Sequence, residues 1–108
     1  MMLGIGANAQ SRCFAYDFTH HIAGYVYYGN RDTIKITYDV DSWGGSSKFI
    51  VKQTKGGIFS KKTLDKKNIY KKNGKKQTIK FDNHGGCQYE LWKAEDGKRI
   101  KGFGKIIW

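Results

Sequence analysis

The sequence predicts an all-β protein, either a single-domain antiparallel β-sandwich of the jelly-roll type or a small barrel, with seven to nine strands. Apolar and polar residues alternate along several short stretches, which is the period of a half-buried strand. Glycine-containing turns break the chain every eight to twenty residues or so. The 108 residues include no proline and show no sustained helical spacing of apolar positions.

The alternation is clearest in TIKITYDV, which places Ile34, Ile36, Tyr38 and Val40 on one side of a strand. The stretches IAGYVYY, SKFIVKQT and CQYELWKA follow similar patterns. The predicted breaks fall at GN, DSWGGSS, KGG, NG, NHGG and DG. Asn-Gly and Asp-Gly favour type I′ hairpin turns, because both central residues of such a turn need a positive φ.

The last of these turns predicts a C-terminal hairpin. With residues 96–97 at its tip, Leu91 pairs with Gly102, and Cys87 lies near Ile106 on the core side.

A second predicted hairpin covers KNIYKKNGKKQTIKFD, with residues 73–74 at its tip. Lys71 then faces Lys76, and Lys67 faces Lys80. Like charges directly opposite one another destabilise a sheet by a few tenths to about 1 kcal/mol per pair. The presence of lysines opposite one another on this ribbon therefore needs an explanation.

The formal net charge of +11 is concentrated in the second half of the chain. Residues 1–47 contain three cations and four aspartates, whereas residues 48–108 contain 17 cations and five acids. A field of this kind attracts nucleic acid, acidic lipid surfaces or phosphate-rich cell-wall polymers.

Two explanations of the lysine-rich ribbon remain open. Its lysines guard a sheet edge against aggregation, or a bound anion relieves their repulsion and gains affinity from counterion release. Lysine in place of arginine favours diffuse attraction to many phosphates or carboxylates. The predicted anion-binding residues are Lys67, Lys71, Lys72, Lys75, Lys76 and Lys80. The predicted aromatic contacts are Trp43 and Trp92.

Cys13 and Cys87 are the only cysteines. An even count in a small strand-rich chain predicts one disulfide, which would close a loop of about 75 residues and stabilise the fold by roughly 4 kcal/mol. The alternative is a pair of unconnected buried thiols.

The first ten residues, MMLGIGANAQ, have the apolar stretch and the A-x-A spacing of a secretory signal, without its basic region. Residues 1–9 are therefore predicted to be either a truncated export signal or a frayed N-terminus. Residues 10–108 are predicted to be a single β-sandwich domain, and the cysteines favour a secreted protein.

The sequence lacks serine nucleophile elbows, phosphate loops and zinc signatures. A small hydrolase or nuclease would need a site around Asp17, His20 and His21, but adjacent residues on a strand point to opposite faces. Asp39 and Asp41 precede glycines as in a calcium loop, yet the later acidic positions are missing, which favours a plain turn. We expect no enzyme, no cofactor and no metal.

The tract from DTIKITYDV through SSKFIVKQTKGG to KKQTIKFDNHGGCQYELWKAEDGKRIKGFGKI resembles the small secreted β-sandwich modules of Gram-positive bacteria. Many of these end in a strand, a Y-x-L strand, a D-G turn and an alternating-glycine strand. The resemblance implies export and a binding or surface role. SRCFAYDF and GGCQYELW are similar to the disulfide-pinned β-sandwich effectors of plant-pathogenic fungi, although the cysteines here are further apart.

The predicted function is a secreted, non-enzymatic binding module that attaches through the lysine-rich hairpin to an anionic polymer or to an anionic membrane surface. The polymer would be a cell-wall polymer, an acidic glycan or nucleic acid. The alternative is a cationic antibacterial, toxin-like or effector protein that acts on a host protein, or at membranes through Trp43, Trp92 and Trp108.

Overall fold

The computed structural model describes residues 10–29, 31–57 and 59–108, so the predicted signal remnant at residues 1–9 lies outside the described residues. The described part of the chain holds eight strands and a single turn of 3₁₀ helix at Lys71–Asn73. The strands are β1 (Ser11–Phe18), β2 (His21–Ile22), β3 (Thr33–Ser42), β4 (Lys48–Lys55), β5 (Lys62–Tyr70), β6 (Lys76–Asp82), β7 (Gln88–Trp92) and β8 (Ile100–Ile107).

The eight described strands form two antiparallel sheets of four. Sheet 1 has the order β1-β8-β3-β6, and sheet 2 has the order β2-β7-β4-β5. Within the described residues, every connection except β4–β5 passes from one sheet to the other. This winding is that of a jelly roll, and it confirms the predicted fold class.

The core lies between the inner faces of the two sheets. Ile34, Ile36, Tyr38 and Val40 are all buried along β3, as the alternation predicted. They meet β4 of the opposite sheet, where the ring centroids of Tyr38 and Phe49 lie 5.6 Å apart at 80°. An edge-to-face contact of this kind adds about 0.5–1.5 kcal/mol to the burial of the rings.

Both predicted hairpins are wrong. Strand β7 pairs with β2 and β4, whereas β8 pairs with β1 and β3. Likewise β5 pairs with β4, and β6 pairs with β3. Lys71 and Lys76 are therefore not cross-strand neighbours, and neither are Lys67 and Lys80.

Burial explains the error. Ile69 of β5 lies opposite Phe49 in sheet 2, and Phe81 of β6 lies opposite Ile34 in sheet 1, with all four side chains buried. A two-residue turn at Gly74 would have pulled the two strands into one sheet and removed both of these buried contacts.

The connection between β3 and β4 is a tight turn against the start of β8. The backbone N–H of Ser46 donates to the carbonyl of Trp43 (2.8 Å), and the intervening Gly44 and Gly45 have φ values of 54° and 94°. A Cβ on Gly44 would lie 2.1 Å from the carbonyl oxygen of Arg99. Position 44 therefore requires glycine for two reasons, its positive φ and the lack of space for a Cβ atom.

Comparison of Gly44→Ala with Gly97→Ala separates the cost of the positive φ from the cost of the close contact with Arg99. Gly97 has φ 74°, but apart from its two chain neighbours no described residue lies within 4 Å of the position that its Cβ would take. Gly97→Ala should lower the free energy of unfolding by about 1–2 kcal/mol. Gly44→Ala should lower it by a further 1–3 kcal/mol or so, because it also overlaps a backbone oxygen. Urea denaturation measures both, and equal losses would contradict the close contact with Arg99.

Candidate functional site

The lysine-rich segment occupies one edge of the sandwich. Strands β5 and β6 are the edge strands of their sheets, lie on the same side, and are joined by residues 71–75. We define residues 62–80 as the lysine edge. It contains one acid, Asp65, and eight lysines: Lys62, Lys66, Lys67, Lys71, Lys72, Lys75, Lys76 and Lys80.

The structure brings all six predicted anion-binding lysines to this edge, but in different environments. Lys75 pairs with Asp39 (3.2 Å). Lys67 pairs with Asp65 (3.7 Å), and its Nζ lies 5.8 Å from the ring centroid of Phe81. The other four are exposed and form no ion pair with any described residue. These four are Lys71, Lys72, Lys76 and Lys80.

Like charges do oppose one another across strands, although the pairs differ from those predicted. Two pairs link β4 to β5, and one links β3 to β6. Each costs a few tenths to about 1 kcal/mol. The pairs are Lys52 with Lys66, Lys55 with Lys62, and Lys35 with Lys80.

A groove adjoins the lysine edge at the end of the sandwich where β5 finishes. It has a volume of about 530 Å³ and is lined by Ser47, Lys48, Tyr70, Lys71 and Lys72. The backbone N–H of Lys71 donates to the carbonyl of Ser47 (2.8 Å), which holds the two walls together. Sequence reasoning missed Ser47, Lys48 and Tyr70, because the sequence does not show that β4 pairs with β5 and places Lys48 opposite Tyr70.

The two tryptophans predicted as aromatic contacts pack within the protein. The ring of His21 stacks on Trp92 (4.0 Å between centroids, 28°), and the Nζ of Lys52 lies 4.3 Å from the Trp92 centroid. These residues come from β2 and β4, which flank β7 on opposite sides, so the indole is covered on both faces. Trp43 packs at the rim of the core, with its ring 5.8 Å from that of Phe49.

The most extensive polar cluster surrounds Glu90, on the outer face of sheet 2 yet only 2% exposed. Its carboxylate accepts hydrogen bonds from His21 Nε2 (2.9 Å), Trp92 Nε1 (3.1 Å), Thr54 Oγ1 (2.7 Å) and Lys61 Nζ (2.8 Å). Burial alone would raise the pKa of Glu90, but these four donors lower it to about 2. Through these hydrogen bonds the carboxylate links β7 to β2 and β4. A carboxylate that stays ionised in this way is poorly suited to proton transfer.

The three residues of the hypothetical hydrolase site each bind a different partner. Asp17 accepts a hydrogen bond from Arg99 (2.9 Å), and His20 donates through Nδ1 to the carbonyl of Lys93 (2.7 Å), whereas His21 is bound to the buried carboxylate described above. Among the described residues, no group of three or more His, Cys, Asp or Glu side chains is placed to hold a metal ion.

The predicted disulfide is wrong. Cys13 lies opposite Lys105 and is exposed on the outer face of sheet 1, because its neighbours Phe14 and Tyr16 turn inward. Cys87 is 1% exposed, and both thiols are free. Burial raises the pKa of the Cys87 thiol. The prediction of export therefore loses the support of the cysteines.

No known protein family matches the sequence, and no curated protein is similar to it. A chain of the Bacillus endospore appendages, which form a novel family of disulfide-linked pili, is 15% identical with a TM-score of 0.48, covering 100% of this chain and 97% of its own. PirA is 11% identical with a TM-score of 0.40, covering 92% of this chain and 91% of its own. Values this low carry no information about function.

The described residues include no helix long and apolar enough to cross a membrane.

The two thiols should differ in reactivity. We expect Cys13 to react with dithionitrobenzoate in the folded protein, and Cys87 to react only after unfolding, because the reagent needs access to a thiolate. The reaction should therefore titrate one thiol in buffer and two in denaturant. Cys13→Ser should leave no reactive thiol in buffer. If no thiol reacted in denaturant without a reductant, the free-thiol assignment would be wrong.

The Glu90 cluster should make the protein sensitive to acid. Its folded pKa of about 2 lies below the ordinary value of 4.5. The ionised form therefore stabilises the fold above about pH 4.5, and this contribution of about 3 kcal/mol is lost as the pH falls towards 2. Urea denaturation at several pH values should show a shallower decline for Glu90→Gln than for the unaltered protein. Exposed Glu95→Gln is the control, and parallel curves for Glu90→Gln would contradict the assignment.

Proposed function

We propose that the protein is a non-enzymatic binding module that holds an anionic polymer along the lysine edge. The observation that carries the proposal is the concentration of eight lysines and a single aspartate on two edge strands and their connection. Seven of these eight lysines are exposed, and six form no ion pair with any described residue, since only Lys67 and Lys75 do.

The shape of this surface suits a polymer. Strand β5 has nine residues and therefore extends for about 30 Å. A chain laid along it would neutralise several lysines in succession and release their counterions, which gives affinity without a deep pocket. It would also relieve the repulsion of the opposed lysine pairs, of which two involve β5 and one involves β6.

Protection of the sheet edges accounts for part of the same surface. Lysines on β5 and β6 discourage pairing with the edge of another molecule. The connection between the strands has no free strand edge to protect, yet it contains Lys71, Lys72 and Lys75 in five residues. These three lysines favour binding over protection alone.

A membrane-active protein receives less support from the geometry. Insertion needs apolar rings free to enter the bilayer interface beside the cations. Trp43 and Trp92 pack within the protein, and Trp108 lies 4.7 Å from the ring of Tyr27. The tryptophans are therefore poorly placed to insert, and the exposed rings of Phe59 and Phe103 lie outside the lysine edge. We expect attachment to a polymer without damage to anionic vesicles.

Two triple variants with the same change in net charge test the proposal. Lys71→Gln, Lys72→Gln and Lys76→Gln together remove three unpaired lysines of the edge. Arg12→Gln, Lys101→Gln and Lys105→Gln remove three exposed cations from β1 and β8, which β3 separates from the edge strand β6. On immobilised heparin, the first set should elute at a clearly lower salt concentration than the control set. Its slope of log affinity against log salt should fall by roughly two to three.

Circular dichroism establishes that both variants are folded. Equal losses in the two variants would show that net charge alone governs retention. Undiminished retention of the first variant would remove the lysine edge as the binding surface.

A further inference from the structure

Strand β1 is an edge strand without the protection that the other edges have. The two sheet orders give four edge strands, of which β2 has only two residues. Strand β5 carries three lysines and a bulge at Leu64, and β6 carries two lysines. Strand β1 has eight residues in unbroken register with β8 and contains neither lysine nor proline. An edge of this kind is open to pairing with another strand.

Half of the backbone groups of β1 point to this open side. Gln10 and Trp108 each donate a backbone N–H to the other's carbonyl, at 2.9 Å in both directions. Such doubly bonded pairs recur at every second residue of an antiparallel pair, so the even-numbered residues of β1 bind β8. The N–H and carbonyl groups of the odd-numbered residues face away from β8 and bond to no other backbone group of the described residues. These residues are Ser11, Cys13, Ala15 and Asp17.

Apolar surface lies beside the same edge. The segment after β2 runs along β7, where Tyr27 pairs with Cys87, and so borders sheet 2 on the side of β1. A cavity of about 210 Å³ lies between this segment and β1, and Phe14, Tyr25 and Tyr27 are among its lining residues. Tyr25 is 62% exposed, and the guanidinium carbon of Arg12 lies 3.9 Å from its ring centroid. Exposed tyrosine beside apolar surface is typical of a protein interface.

The charges on β1 favour a second copy of the same strand as its partner. Strand β1 has one cation near its start, Arg12, and one acid near its end, Asp17. Antiparallel pairing of two copies places the Arg12 end of each strand beside the Asp17 end of the other, whereas parallel pairing would bring like charges together. Odd-numbered residues can then lie opposite odd-numbered residues, so that the free N–H and carbonyl groups of the two strands bond to each other.

The lysine edge does not oppose this pairing. The sheet orders place β1 three strands from β6, and β2 three strands from β5. Three strand spacings amount to about 14 Å, which exceeds the Debye length of about 8 Å at physiological ionic strength. Two copies joined at β1 would therefore carry their lysine edges at opposite ends of the assembly. Joining at β5 or β6 would bring the lysines of both copies together.

We propose that the protein forms a two-fold symmetric dimer in which β1 pairs antiparallel with β1 of a second copy and Tyr25 of each copy becomes buried. Sheet 1 then continues across the dimer as a sheet of eight strands. Because both copies use the same surface, the assembly closes at two. This inference does not depend on polymer binding.

Sedimentation equilibrium of the full chain should show a monomer–dimer equilibrium, and Ala15→Lys should weaken it at least about tenfold. Ala15 is exposed, so the monomer accommodates the lysine. In a dimer paired at the centre of β1, the two new lysines lie near each other and repel. Thr63→Lys adds the same charge at an exposed position of β5 and is the control, which should dimerise normally. If both variants dimerised equally, β1 would not be the pairing edge.

A second pair of variants tests the apolar part of the interface. Tyr25→Ser should weaken the dimer about tenfold, because buried tyrosines contribute strongly to interfaces. Phe59→Ser is the control, since Phe59 is fully exposed in the connection between β4 and β5 and should not affect the dimer. Equal losses would show that the association is unspecific and would overturn the proposal.

A maleimide spin label on Cys13 measures the approach of the two strands directly. Cys87 is buried, so the label reacts with Cys13 alone. Antiparallel pairing of odd with odd residues near the centre of β1 places the two Cys13 Cα atoms within about 15 Å of each other. The spectrum should therefore show dipolar broadening that disappears on dilution with unlabelled protein. Association through another edge would leave the spectrum unbroadened.

Two further results would overturn the proposal. A protein that stays monomeric up to about 1 mM has no such interface. A series of species larger than the dimer would show that β1 joins a different surface in an open assembly. Neither result bears on the lysine edge, which the heparin variants test separately.

Discussion

The repeated crossing of the chain between the two sheets is the constraint that determines where the charged and polar side chains lie. Within the described residues, the β4–β5 connection alone joins strands of one sheet. Consecutive strands elsewhere lie in opposite sheets, and the core forms between them, where Tyr38 of β3 meets Phe49 of β4. Burial of those faces fixes which strands become edges, and β5 and β6 become edges on the same side. The lysines reach one surface through this winding, without direct pairing of their strands.

The sequence shows which stretches form strands, but it does not show which strands pair with one another. Ile34, Ile36, Tyr38 and Val40 alternate as a strand requires, and all four are buried. Residues 96–97 also form a turn, with Gly97 at φ 74°. A turn dipeptide acts over a few residues, however, whereas the choice of sheet is decided by contacts across the whole core. The same local signal therefore predicted the change of chain direction, but the type I′ turn and the hairpin were wrong, since Asp96 does not have a positive φ.

The same distinction between local signals and long-range contacts applies to the candidate site. The cluster of lysines is evident from the sequence alone, and the fold places these lysines on one edge of the sandwich. The donors to Glu90 could not be found from the sequence, because Lys61, Thr54 and His21 lie 29, 36 and 69 positions away.

The distribution of the acids explains why the lysine edge stays charged. Three of the carboxylates are held by cations elsewhere: Glu90 binds Lys61 and His21, Asp17 binds Arg99, and Asp96 binds Lys93. At the β5–β6 connection, Asp39 compensates Lys75 and leaves Lys71 and Lys72 beside the groove without a described counter-ion. Edge protection would be satisfied by charge on the strands alone. The proposed binding of an anionic polymer would also account for the charge that continues into the connection, at Lys71 and Lys72.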